Sequence, residues 1–166
     1  MTTRAAAGRR AAMAMILAAA ALLAAGCEVF GFPIGSPPVR AADAALAEAR
    51  ARWAEAAIND YQFTIQTICF CQQSVVGPSR VTVVDGVTTE IVNLEGGPVD
   101  ADTRRAVPLT TDALFAKVAQ ALGRAERLVV AYDDVFGFPS TIDIDWIVNA
   151  IDDETTFAVT DFSAGL

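Results

Sequence analysis

The sequence of 166 residues contains no histidine, and its three methionines all lie within residues 1–15. Histidine is the side chain whose ordinary pKa lies nearest neutral pH, which makes it the usual general base and a frequent metal ligand. Its absence excludes a Ser-His or Cys-His catalytic pair and any histidine-built zinc, copper or non-haem iron site. We therefore expect a protein that is not an enzyme and that needs no cofactor.

Basic residues are scarce as well, because 12 Lys and Arg stand against 20 Asp and Glu, for a net charge of −8. Three of the 12, Arg4, Arg9 and Arg10, lie near the N-terminus with no acidic residue among them. Removing residues 1–26 would therefore shift the net charge from −8 to −11. A surface of this charge repels nucleic acid and anionic lipid headgroups. We expect no nucleic-acid partner, and we expect any charged partner to be cationic.

The N-terminal segment has the pattern of an export signal. Residues 1–10 are basic, residues 11–25 carry no charge, and residues 22–27 read LLAAGC. The apolar stretch is shorter than the roughly 20 residues that a membrane-spanning helix needs, and it has the length of a signal-peptide core. Small residues directly before Cys27 predict a bacterial lipoprotein processing site, at which Cys27 would become the first residue and carry the lipid. The alternative is an ordinary signal peptide in which the cysteine is coincidental.

The chain is thus predicted to have three segments. Residues 1–26 would be the lipoprotein signal peptide, residues 27–40 a tether rich in Gly and Pro, and residues 41–166 a single domain. The mature chain would be held on the extracytoplasmic side of a membrane by the lipid on Cys27 rather than by a basic patch.

Hydrophobic periodicity predicts the elements of that domain. Helices are expected over residues 41–59 and from Thr110 to a stop at Gly123. The dipeptide Asp85-Gly86 predicts a hairpin, because both residues tolerate the positive φ angles of a tight turn. Strands are expected over residues 61–71, 80–84, 87–94, 127–133, 141–147 and 155–162. The predicted fold is α+β, in the order α-β-β-β-α-β-β-β, with an antiparallel sheet of about six strands and both helices packed on one face.

Cys69 and Cys71 form a pair at the end of the first predicted strand. Exported proteins meet an oxidising compartment, in which neighbouring thiols tend to form a disulfide. In an extended strand, residues two apart have Cα atoms about 6.6–6.8 Å apart, at the upper edge of disulfide geometry. A disulfide would therefore need a bend at Phe70. We favour a small structural disulfide, and the alternative is a redox-active pair.

Several aspartates could be taken for a cation site or for a pair of catalytic carboxylates. Asp133, Asp134, Asp143 and Asp145 flank one predicted hairpin. No loop has the alternate-ligand spacing with a central glycine that calcium-binding loops use. We therefore expect these residues to be the solvated face of strands and a turn, and we predict no metal site.

The domain resembles an uncharacterised family of bacterial lipoproteins and secreted proteins, domain of unknown function 6174, over about residues 45–160. The matching positions are Trp53, Tyr61, Cys69-x-Cys71, Val83-x-Asp85-Gly86, Leu114-Phe115 and Tyr132-Asp133-x-x-x-Gly137-Phe138-Pro139-x-x-Ile142-x-x-Asp145. The resemblance implies the fold and the export, and it implies no mechanism because the family has no assigned activity.

The last of these segments supplies a candidate site. Gly137 permits a tight turn and Pro139 restricts its exit. The residues are interpreted either as a binding site or as a structural turn that sets the register of a hairpin; they are Tyr132, Asp133, Gly137, Phe138, Pro139 and Asp145.

Three hypotheses of function follow from the sequence. The first is a lipid-anchored, non-enzymatic module that binds an envelope protein or helps envelope assembly through an exposed sheet face or edge. The second is a thiol/disulfide-active envelope protein that uses Cys69 and Cys71. The third, and the weakest, is a carboxylate-based hydrolase.

Overall fold

The computed structural model describes residues 37–72 and 75–166, with side chains from Ala41 onward. Cys27, the predicted signal peptide and most of the predicted tether lie outside the described residues. The elements in chain order are helix α1 (Pro37–Ala56), strands β1 (Tyr61–Cys69), β2 (Gly77–Val84) and β3 (Val87–Asn93), helices α2 (Ala101–Ala106) and α3 (Thr111–Ala121), and strands β4 (Arg127–Tyr132), β5 (Pro139–Asp145) and β6 (Thr155–Ala164).

Helix boundaries follow from local capping chemistry. The side chain of Thr110 accepts a hydrogen bond from the backbone N–H of Ala113 at the start of α3, and Gly123, with φ of +70°, follows its end. Asp100 does the same for α2, accepting from the N–H groups of Asp102 and Thr103. Helix α1 begins at Pro37, four residues before the start expected from the sequence, and proline is well tolerated in a first helical turn.

The six strands form one sheet in the order β3-β2-β1-β6-β5-β4. Every neighbouring pair is antiparallel, including β1 with β6, which are the first and last strands of the chain. Asp85 and Gly86 both have positive φ, +50° and +72°, in the two-residue turn between β2 and β3, as the sequence predicts. The two edges of the sheet are β3 and β4.

One hydrophobic core joins the helices to the sheet. Leu46 and Ala49 of α1 and the apolar residues of α3 belong to the same buried cluster as the alternate residues of the central strands. Its largest fully buried apolar side chains are Phe63, Ile65, Leu114, Ile142, Ile144, Val81, Val83 and Val118. Burial of alternate strand residues explains why the two-residue periodicity of the sequence locates the strands.

The predicted α+β class and the six-stranded antiparallel sheet are confirmed. The predicted count of two helices is wrong for the described residues, which contain three, so that the element order is α-β-β-β-α-α-β-β-β. Helix α2 lies between the third predicted strand and the second predicted helix, where no element was expected, since a six-residue helix is too short to show hydrophobic periodicity. Within the described ranges, no helix is long and apolar enough to cross a membrane.

Candidate functional site

Strand β5 separates the candidate site residues into two groups. Tyr132, Asp133, Gly137, Phe138 and Pro139 lie together at the turn between β4 and β5. Asp145 lies at the other end of β5, where it pairs with Arg127 at the start of β4. At 3.3 Å per residue, the seven residues of β5 hold the two groups about 20 Å apart. Five of the six residues therefore lie together at the turn, and Asp145 lies apart from them.

The turn between β4 and β5 is organised by Asp133. Its Oδ1 accepts hydrogen bonds from the backbone N–H groups of Val135 (3.0 Å) and Phe136 (2.6 Å). Its own N–H donates to the carbonyl of Phe138 (2.8 Å), and its carbonyl accepts from the N–H of Gly137 (3.0 Å). These four hydrogen bonds close the turn from within, with Oδ1 of Asp133 as the acceptor of two of them, as in a structural turn.

Gly137 is the point at which this turn touches α1. Its φ is +82°, and a Cβ added there would lie 2.6 Å from the carbonyl oxygen of Ala49 and 2.9 Å from the Cβ of Arg52. Both the backbone angle and the lack of space require glycine. The turn therefore fixes how closely α1 approaches this end of the sheet.

An aromatic cluster lies beside the same turn. Phe138 stacks on Phe162 of β6 with ring centroids 4.5 Å apart, and Trp53 of α1 meets Tyr61, Phe138 and Phe162 edge-on at 5.4–6.3 Å. The Tyr61 hydroxyl accepts a hydrogen bond from the buried N–H of Thr111, which ties the cluster to the start of α3 (2.9 Å). Edge-on and offset-stacked aromatic pairs stabilise the fold by more than the hydrophobic area that they bury would provide. The cluster joins α1, α3 and the sheet, which is a structural role.

Tyr132, the last residue of β4, is half-buried beside these residues. Burial raises the pKa of its hydroxyl above the ordinary value, and the positive charge of Arg50 opposes this rise. The hydroxyl is therefore neutral at physiological pH, and in this form it can both donate and accept a hydrogen bond.

Cys69 and Cys71 form a disulfide with Cα atoms 5.3 Å apart. β1 ends at Cys69 and the chain bends at Phe70, which is the bend that an extended strand would need for this bond. Phe70 is 81% exposed. The disulfide borders a cavity of about 220 Å³ that is also lined by Thr67, Lys117 and Trp146. The Thr67 hydroxyl is buried there and has no hydrogen-bond partner among the described residues.

A concave surface lies along the edge strand β4. A groove of about 430 Å³ runs between β4 and helices α1 and α3. Leu128, Val129, Val130 and Tyr132 of β4 line it, and Val129 and Ala131 are exposed. Its opposite wall is apolar and consists of Ala42 and Ala45 of α1, Val118 and Ala121 of α3, and Leu122 directly after α3. The outer edge of β4 pairs with no other strand of residues 37–72 and 75–166.

One family model, described as a family of unknown function (DUF6174), matches residues 45–164, which is the whole sheet and most of α1. The chain belongs to this family. No curated protein matches the chain. The family match agrees with the resemblance stated from the sequence, and it supplies no substrate, ligand or partner.

Most of the residues that carry the family resemblance have structural roles. Trp53, Tyr61 and Phe138 form the aromatic cluster, and Gly137 contacts α1. The sequence analysis missed the β4 groove, because its walls come from three elements far apart in the chain. A signal for it exists, since residues 128–131 read LVVA, an apolar run on what proves to be a sheet edge.

Proposed function

We propose that this chain is a lipid-anchored, extracytoplasmic binding module that adds an extended segment of an envelope protein to the edge of β4. The observation that carries the proposal is the unpaired edge of β4 beside an apolar groove. An extended peptide can pair with such an edge through main-chain hydrogen bonds while its alternate side chains enter the groove.

The edge of β4 lacks the usual protections against strand pairing. Natural edges are blunted by charged residues, prolines or a covering segment. Between Arg127 and Tyr132, β4 has only Leu128, Val129, Val130 and Ala131. Edge strand β3, in contrast, carries Glu90, and its Thr88 hydroxyl donates a hydrogen bond to the carbonyl of Leu109 in the segment that passes beside it. The difference favours β4 as the binding edge.

The net charge of the chain and its expected location at a membrane support the same proposal. The chain has a net charge of −8, and Glu126 lies at one end of the groove. Both features favour a partner segment with basic residues. The lipid on Cys27, expected from residues 22–27, would keep the module at the membrane where envelope proteins are assembled.

The proposal is tested by site-specific photo-crosslinking in cells, with a photoreactive residue in place of Val129, which is 54% exposed. We expect a crosslink to an envelope protein that Ala45→Trp abolishes, because the indole fills the groove. Ala47→Trp is the matched control, since Ala47 is exposed on α1 but does not line the groove, and it should leave the crosslink intact. A crosslink unaffected by Ala45→Trp, no crosslink, or a crosslink only to a second copy of this chain would overturn the proposal.

The anchor is tested separately by mass spectrometry of the chain extracted from membranes. We expect the mature chain to begin at Cys27 and to carry acyl groups there. An unmodified N-terminus at another residue would contradict the lipid anchor, while leaving the β4 edge to be judged by its own experiment.

A thiol/disulfide activity is the second candidate, and the cavity beside Cys69 and Cys71 favours it. Cys71 is exposed and accessible to the thiolate of a dithiol partner. Lys117, the single lysine of the chain, lines the same cavity and would stabilise a released thiolate. Thiol trapping in cells tests this candidate: a redox function requires a measurable reduced fraction, whereas a structural disulfide stays oxidised throughout.

A further inference from the structure

Three carboxylates meet at the end of β5 that is distant from the Asp133 turn. Asp145 ends β5, and Asp153 and Glu154 directly precede β6. One carboxylate oxygen from each lies within 4.8 Å of the other two. The two ends of the loop over residues 146–154 are therefore close together. Three negatively charged groups face one another there.

Two of these carboxylates are buried without enough partners. Asp145 is only 6% exposed, and its Oδ1 accepts no hydrogen bond from any described residue. Both carboxylate oxygens of Asp153 are likewise buried and unpartnered within the described part of the chain. An ionised carboxylate buried in this way costs several kcal/mol unless a cation or hydrogen-bond donors compensate it.

Among the described residues, Arg127 is the one cation that forms an ion pair with Asp145, and it does so through Oδ2. Arg127 contacts Asp145 Oδ2 through Nε at 3.5 Å and Asp143 Oδ2 through NH1 at 3.3 Å. Asp143 also accepts a hydrogen bond from the Thr156 hydroxyl. Neither Asp153 nor Glu154 forms an ion pair with any described residue, so the cluster carries more negative charge than Arg127 compensates.

We propose that Asp145, Asp153 and Glu154 bind a calcium ion that closes the loop between β5 and β6. Oxygen-only ligands select a hard cation, and the absence of histidine and of a nearby free thiolate disfavours zinc and copper. Calcium binds in irregular sites, because each carboxylate can coordinate it through one oxygen or two. Magnesium, in contrast, demands near-ideal octahedral geometry. The exposed Glu154 leaves one side open for water ligands.

This site escaped sequence analysis because the spacing is not that of a calcium-binding loop. Asp145 is eight residues from Asp153, and only the antiparallel pairing of β5 with β6 brings the two ends of the loop together. The site also differs from the aspartate group considered from the sequence, which shares only Asp145 with it.

Terbium luminescence gives a direct test on the purified full-length chain. Trp146 is next to Asp145 and is the donor expected to sensitise a lanthanide bound in the cluster. We expect Tb³⁺ emission on tryptophan excitation, displacement of that emission by CaCl₂, and loss of emission in Asp153→Asn. Asp152→Asn is the matched control, because Asp152 is exposed, lies outside the cluster and has φ of +72°, which asparagine also tolerates.

Thermal unfolding supplies a second readout that does not depend on Trp146. Calcium at ten times its Kd should raise the Tm of the chain and of Asp152→Asn by about 5 °C relative to EDTA, and should leave Asp153→Asn unchanged. In EDTA, Asp153→Asn should be at least as stable as the parent chain, which also checks that it folds. No response of the parent chain, a full response in Asp153→Asn, or an equal response to MgCl₂ would overturn the proposal.

Discussion

Aspartates lie near both ends of β5, but their carboxylates differ in hydrogen bonding. At the Pro139 end, the Asp133 carboxylate accepts two backbone hydrogen bonds and its turn packs against α1 and the aromatic cluster. At the Asp145 end, three buried carboxylate oxygens of Asp145 and Asp153 have no hydrogen-bond partner among the described residues.

The contrast separates residues that specify the fold from residues that are available to bind. A carboxylate that accepts hydrogen bonds from the backbone N–H groups of its own turn stabilises one conformation of that turn. Unpartnered buried carboxylates reduce stability until a ligand neutralises them. We therefore infer a structural role for the Asp133 turn, whereas the acidic end is where we propose that calcium binds.

The largest effect is expected for Gly137→Ala at the turn end. The added Cβ would meet the carbonyl oxygen of Ala49 at 2.6 Å and would hold alanine at φ of +82°. We expect a loss of about 3 kcal/mol or more in the free energy of unfolding, from backbone strain and overpacking together. Chemical denaturation measures it.

Gly86→Ala is the control for that substitution. Gly86 has φ of +72° but nothing within 4 Å of an added Cβ, so the expected loss is the backbone cost alone, about 1–2 kcal/mol. Equal losses in the two variants would show that the contact of the turn with α1 does not matter.

The next effect is expected for Asp133→Ala. Two backbone N–H groups would lose their acceptor, which should cost about 2 kcal/mol. The exposed neighbour Asp134 makes no hydrogen bond or ion pair with the described residues, so Asp134→Ala should stay within about 0.5 kcal/mol of the parent. Urea unfolding midpoints compare the two, and similar midpoints would contradict the role given to Asp133.

A smaller effect is expected at the acidic end for Arg127→Gln. The variant removes the ion pairs to Asp143 and Asp145, at an expected cost of about 1 kcal/mol in EDTA because Arg127 is half exposed. Calcium should reduce this cost, since the ion supplies positive charge to Asp145. Arg124→Gln is the control, as Arg124 has no ion pair with any described residue. A cost unchanged by calcium would argue against binding next to Asp145.

The smallest effect is a pH dependence at Tyr132. Burial raises the pKa of its hydroxyl in the folded chain, so the unfolded chain ionises first as pH rises. The stability that this provides is complete below a pH of about 10, the ordinary tyrosine pKa, and is lost above it. Tyr132→Phe should therefore lose less stability than the parent chain between pH 9 and about 11 in urea unfolding. Parallel losses would show that the shift has no thermodynamic consequence.

The sequence by itself determined the local elements of this protein. Alternation of apolar residues located all six strands, Asp85-Gly86 predicted its hairpin, and Thr110 and Gly123 predicted the limits of α3. These features depend on groups a few residues apart, whose geometry is set by backbone angles and short hydrogen bonds. Local chemistry also explains why α2 was missed, because one Asp cap is a weak signal for a six-residue helix.

Only the tertiary structure decided which residues meet. Pairing of β1 with β6 leaves β4 at an edge, and this creates the groove beside Leu128 and Val130. The length of β5 separates Asp145 from Asp133, while the return of the chain at β6 brings Asp153 to Asp145. The physical reason is that strand order and burial result from the packing of one core, a sum over contacts distant in sequence that no short pattern encodes.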